Sequence, residues 1–105
     1  MRDKVILGLV ENVSIQGNGG KETMVIARID TGATASSIDS ALSAELQLGP
    51  VLRSKVVKSA SGIKKRPTVK AAVFIKGIKI EEEFTIADRS HMTYKMLIGQ
   101  NVLRK

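Results

Sequence analysis

At 105 residues the chain is long enough for one domain with a modest core and too short for two lobes, so any two-lobed site must be shared between chains. Its 17 basic and 10 acidic residues leave a net charge of +7, which attracts acidic partners, and the absence of cysteine excludes disulfides and thiolate zinc sites and fits a reducing compartment. Only Phe74, Phe84 and Tyr94 are aromatic among 43% apolar residues, so Ile, Val, Leu, Met and Ala must build the core, a composition that favours strands and offers nucleic acid almost no stacking platform.

Residues 5–10, Val-Ile-Leu-Gly-Leu-Val, predict a buried strand that continues to Ile15. The run is too short, and too interrupted by Gly8, for a signal peptide or a membrane span, so a cytoplasmic protein is expected. Gly17-Asn18-Gly19-Gly20 predicts a turn. Lys21 follows it, but Ile15 and Glu22 stand where a phosphate loop needs Gly and Ser/Thr, so no ATP site is expected here. A second strand over residues 23–29 runs directly into Asp30-Thr31-Gly32. Residues 35–39 predict a short strand, and 40–46 a helix capped by Ser40, with Leu42 and Leu46 on one face and Gly49-Pro50 beyond it.

Residues 51–57 and 69–75 read as strands joined by a polar, basic hairpin tip over 58–67. Lys76-Gly77 turns the chain into a strand over 78–86, where Ile78, Ile80, Phe84 and Ile86 share a face interrupted by Glu82. Residues 88–94 form a loop, 96–98 a short buried strand, and 100–105 a short helix. The sum is an all-β domain spanning 1–105, with about seven strands, one or two short helices and closed β-architecture.

Asp-Thr-Gly alone also occurs in ordinary β-turns, where Asp bonds its own backbone. Its pairing with Met96-Leu97-Ile98-Gly99-Gln100-Asn101 is far more specific. Together these motifs resemble the retropepsin-like aspartic proteases, a single-lobe closed β-barrel family. Arg28-Ile29-Asp30-Thr31-Gly32-Ala33, followed by Ala35-Ser36-Ser37-Ile38, is similar to the cellular branch known as ATP-dependent zinc proteases.

The resemblance implies that Asp30 is the catalytic carboxylate, that Thr31 knits two such loops together, and that Gly32 lets substrate backbone approach. Aspartic proteolysis needs two carboxylates sharing a proton. Asp3, Asp39 and Asp88 lack a following Thr/Ser-Gly, so the second must be Asp30 of another copy, and a symmetric homodimer is expected. Gly32, Ala33, Thr34 and Ile98 are implied substrate contacts, and Ser59, Ala60, Ser61, Gly62 and Ile63 occupy the position of the family's flap. If Lys64, Lys65 and Arg66 face the cleft, they favour acidic peptides. Ala33 offers no hydroxyl to the dyad, which predicts an activity optimum closer to neutrality.

The retroviral family's Asp/Arg pair is replaced by Thr34 and Gln100, where a hydrogen bond is the expected substitute. One His and no Cys give zinc little support, and Asp39 stands where His is expected, so neither a metal nor a cofactor is predicted. The resemblance also implies an ATP-grasp ligase as a partner. The alternatives are a catalytically inactive module that binds peptides in the same cleft and a basic nucleic-acid binder.

Overall fold

In a computed structural model that describes residues 8–59 and 62–105, the alternation of apolar residues yields seven strands and two short α-helices. Strands β1 (Val10–Gln16) and β2 (Glu22–Ile29) form an antiparallel hairpin around a 3-10 turn, Asn18–Gly20, whose Gly19 and Gly20 take φ of 83°. Strand β3 (Ser36–Asp39) leads into helix α1 (Ser40–Glu45). A long hairpin of β4 (Arg53–Ser59) and β5 (Gly62–Ile75) follows, then β6 (Ile78–Ala87), β7 (Met96–Ile98) and helix α2 (Gln100–Leu103).

The strands follow the order β1-β2-β7-β3-β6-β5-β4, and pairing of β1 with β5 closes the first six into a barrel. Inward-facing residues at every second position fill it: Val13 and Ile15 from β1, Ala71, Val73 and Ile75 from β5, Phe84 from β6, and Met96 and Ile98 from β7. Leu46, beyond α1, and Val102, on α2, plug the core from outside the sheet. Strand β7 inserts between β2, to which it is parallel, and β3, to which it is antiparallel. That insertion brings the two sequence motifs together.

Val5, Ile6 and Leu7 of the expected first strand lie outside the described residues. Among the described residues the β1–β2 register starts at Val10↔Arg28 and the Leu9 carbonyl accepts the Ile29 N–H at 2.9 Å, but the side chains of Leu9 and Val10 are exposed rather than buried. The hairpin tip predicted over 58–67 is corrected more sharply. Lys64 to Pro67 are strand residues paired with β4, so the hairpin reaches Ser59↔Gly62, and Ala60 and Ser61 lie outside the described residues. Helix α1 is capped by Asp39 and not by Ser40: the Asp39 carboxylate accepts the Leu42 N–H at 3.3 Å.

Candidate active site

Strand β2 ends at Ile29, and the chain leaves the sheet while still tied to β7: the Asp30 N–H donates to the Ile98 carbonyl at 2.9 Å. The Ala33 N–H closes a turn on the Asp30 carbonyl at 3.2 Å. Within that turn the Gly32 N–H donates to Asp30 Oδ1 at 3.0 Å, which fixes the carboxylate over its own loop. Gly32 does not need a positive φ; it is small because a Cβ there would press on Asp30 Oδ1 at 3.3 Å. Thr31, Gly32 and Thr34 are exposed and Asp30 is half-buried, so the loop presents an open surface.

The C-terminal motif supports this loop from behind. Gln100 N–H donates to the Ala33 carbonyl at 2.8 Å and Asn101 N–H to the Thr34 carbonyl at 3.2 Å. Gly99 N–H donates to the hydroxyl of fully buried Ser36 at 2.9 Å, and that hydroxyl donates to Asn101 Oδ1 at 2.7 Å. Asn101 Nδ2 reaches on to the Glu83 carbonyl at 2.8 Å. One side-chain network thus joins β3, β6, β7 and α2 beneath the Asp30 loop.

The β4–β5 hairpin projects beyond the barrel. Its register places Arg53, Lys55, Val57, Lys64, Arg66 and Thr68 on one face, with Lys55 opposite Arg66, and Val56, Lys58, Ile63, Lys65 and Pro67 on the other. On the first face, Arg53, Lys55 and Thr68 join Ala35, Glu82, Glu83, Thr85 and Asn101 around a cleft of about 160 Å³, and Arg53 pairs with Glu83 at 2.8 Å. A larger cleft of about 460 Å³ lies between Lys64–Pro67 and the loop carrying Asp88, His91 and Met92.

That loop is anchored by Asp39, whose carboxylate accepts the Arg89 N–H at 2.8 Å, while Arg89 Nε donates to the Tyr94 carbonyl at 3.0 Å. Burial pushes the Arg89 guanidinium down from its ordinary value; Asp39 opposes that shift, and Arg28 and Arg66 add to it. Arg28 on β2 and Arg66 on β5 therefore each lie within electrostatic reach of Arg89. Asp88 is held below the usual carboxylate range by the Ser90 hydroxyl at 2.6 Å and the Ser90 N–H at 3.0 Å.

Asp30, Thr31, Gly32, Ala33 and Thr34 lie on one loop. The structure does not place the Ile98 side chain there. Ile98 is fully buried in the barrel core, so only its carbonyl serves the site, and half-buried Leu97 occupies the other face of β7. Ser59 is described only through its backbone pairing with Gly62, Ala60 and Ser61 lie outside the described residues, and Ile63 is exposed on the hairpin face opposite Lys55. Gln100 does not bond Thr34 through its side chain as expected; Nε2 donates to the Thr31 carbonyl at 2.8 Å. Among the described residues no group of three His, Cys, Asp or Glu side chains is arranged to hold a metal ion.

Comparison with known proteins agrees with this fold. Residues 42–105 match the RimB-like family model, described as retropepsin-like aspartic endopeptidase RimB. The matched span begins after Asp30, so the Asp-Thr-Gly turn is an observation independent of that match. No curated protein matches the sequence. EIAV protease complexed with the inhibitor HBY-793 superposes with a TM-score of 0.73 at 20% identity, over 90% of this chain and 84% of that one. The simian foamy virus (mac) protease gives 0.64 at 18% identity, over 90% and 91% of the chains. A Legionella pneumophila protein of unknown function (DUF785) gives 0.67 at 16% identity, over 97% and 88%.

Proposed function

Because this chain belongs to the RimB-like family of retropepsin-like aspartic endopeptidases, we propose that it hydrolyses peptide bonds as a symmetric homodimer, with one Asp30 from each copy. The observation that carries this reading is the Asp30 turn itself. Its carboxylate is fixed by the Gly32 N–H at 3.0 Å on an open loop braced by β7 and α2, and the chain contains no second Asp-Thr/Ser-Gly. Two such carboxylates within hydrogen-bonding distance cannot both ionise, so one takes a proton from water as it attacks the peptide carbonyl. The other protonates the departing amine as the C–N bond breaks.

The substrate we favour is an acidic peptide. Lys55, Lys64 and Arg66 share one face of the hairpin, and Arg28 and Arg66 each lie within electrostatic reach of Arg89. Cations gathered around a cleft raise both the local concentration and the affinity of an anionic ligand. The cytoplasmic setting, expected from the short apolar run over residues 5–10, and the ATP-grasp partner, implied by the resemblance, remain part of the same proposal.

The test is turnover of acidic and neutral peptides by the wild type and by Asp30→Asn, with sedimentation to follow the monomer–dimer equilibrium. Proteolysis that rises with the dimer fraction and vanishes in a folded Asp30→Asn variant is the expected result. Peptide binding without cleavage by the wild-type dimer would favour an inactive binding module instead.

A further inference from the structure

Asp30 is linked to an exposed cation through a series of hydrogen bonds that runs by way of α2. Arg104 Nη2 donates to Gln100 Oε1 at 3.0 Å, one helical turn away. With its oxygen so occupied, the Gln100 amide presents its nitrogen to the loop, and Nε2 donates to the Thr31 carbonyl at 2.8 Å. That carbonyl and the Gly32 N–H are the two ends of one planar peptide unit. The Gly32 N–H in turn donates to Asp30 Oδ1 at 3.0 Å.

Every donor in the series points toward the carboxylate: guanidinium to amide, amide to peptide, peptide to Asp30. Aligned bonds of this kind polarise one another, and the first link is charge-assisted. Gln100 also grips the peptide at the end opposite its N–H, so it sets the tilt of the plane that delivers the proton to Oδ1. Helix α2 has no packing need for this arrangement, since Val102 and Leu103 supply its contacts with the core. The backbone N–H groups of Gln100 and Asn101 already hold Ala33 and Thr34, which leaves the Gln100 side chain with the separate task of fixing Thr31.

We infer that Gln100 and Arg104 are positioning residues that hold the Thr31–Gly32 peptide so that its N–H stays on the Asp30 carboxylate. The inference rests on the reading of Asp30 as the catalytic group, but its geometric core does not. Both act on Asp30 through a single peptide plane.

The experiment combines two measurements on full-length protein: the Gly32 amide resonance in ¹⁵N-labelled samples and steady-state kinetics on an acidic peptide. The variants are Gln100→Met, Gln100→Glu, Arg104→Met and the Gln100→Met/Arg104→Met pair. Gln100→Met keeps side-chain length and removes the donor, so the Gly32 amide proton should move upfield, and kcat should fall about three- to tenfold with KM unchanged. Arg104→Met should give a smaller change of the same sign that disappears in the Gln100→Met background.

Gln100→Glu separates positioning from helix stabilisation, because a carboxylate pairs with Arg104 at least as well as the amide does but has no donor for Thr31. It should behave like Gln100→Met. A Gly32 amide unmoved in Gln100→Met, a Gln100→Glu variant equal to wild type, or additive effects of the two Met substitutions would each overturn the inference. Wild-type protein that lacks turnover while its Gly32 amide still responds would support the relay and sink the peptidase reading.

Discussion

Gly99 lies directly against the carbonyl oxygen of Ala35, so close that a Cβ on residue 99 would overlap that oxygen and stand 2.8 Å from the carbonyl oxygen of Ala33. Its φ of −107° is open to any residue, so the demand for glycine is one of space and not of backbone conformation. Both opposing atoms are backbone and cannot swing aside. Gly99→Ala must therefore push the Asp30 loop away from β7. The expected cost is about 2–3 kcal/mol, seen as a fall in Tm of about 10 °C or more by circular dichroism. Activity should be lost even at temperatures where the variant is folded.

Ser36 is the hub beneath the same loop. Its hydroxyl accepts from Gly99 N–H and donates to Asn101 Oδ1 with no exposure to solvent. Ser36→Ala strands one donor and one acceptor, which should destabilise the protein by about 1–3 kcal/mol in urea titration. Its effect and that of Asn101→Ala should be strongly non-additive, because either substitution breaks the same bond. Additive losses would mean that the two side chains act separately.

The hairpin sets stability against binding. Lys55 faces Arg66 across β4 and β5, a like-charge pair that opposes strand pairing. Arg66→Glu turns repulsion into attraction, so the variant should gain about 0.2–1 kcal/mol in thermal unfolding. Its kcat/KM on an acidic peptide should fall roughly tenfold, while a neutral peptide is affected far less. Raising ionic strength should erode the wild-type preference for the acidic peptide. Equal losses on both substrates would remove the hairpin from substrate recognition.

Glu82 provides a pH-dependent anchor for α2. Burial raises its pKa, but the Glu83 N–H, the Lys105 ammonium at 3.2 Å and Asn101 outweigh that effect and hold it below the usual carboxylate range. A lowered folded pKa means that the stabilisation is fully present above the unfolded value of about 4.3 and is lost as pH falls through the folded value. Glu82→Gln should lie below wild type in urea midpoint near pH 6 and converge with it as the solution is made more acid. Parallel pH profiles for the two proteins would contradict this assignment.

The two motifs were legible because each is a local chemical pattern: Asp-Thr-Gly after an apolar strand, and two apolar residues plus glycine before a helix. What joins them was not. Ser36 and Asn101 are 65 residues apart and read as unremarkable polar residues until β7 enters beside β3. The true length of β5 was hidden for a different reason. Beyond the barrel both faces of the hairpin are largely wet, so Lys64-Lys65-Arg66-Pro67 shows no apolar alternation, although it pairs with β4 throughout. Asp39 invited comparison with a metal ligand when its work is to cap α1 and hold Arg89. Alternation within Met96-Leu97-Ile98 does point to Ile98 as the inward residue and Leu97 as its outward neighbour.

The three-residue strand β7 pairs Ala27 with Met96 and Ile38 with Met96, contacts that close long loops, whereas the β1–β2, β4–β5 and β5–β6 hairpins join near neighbours. Loop-closure entropy favours the hairpins first. Docking of β7 then becomes the late event of folding, and the Asp30 N–H finds its Ile98 carbonyl only at that point. Substitutions in β7 should accordingly speed unfolding more than they slow refolding. A chain that has collapsed without seating this strand carries Asp-Thr-Gly but lacks the Asp30–Ile98 tie that fixes the loop, so on the proposed reading partly folded copies are held inactive.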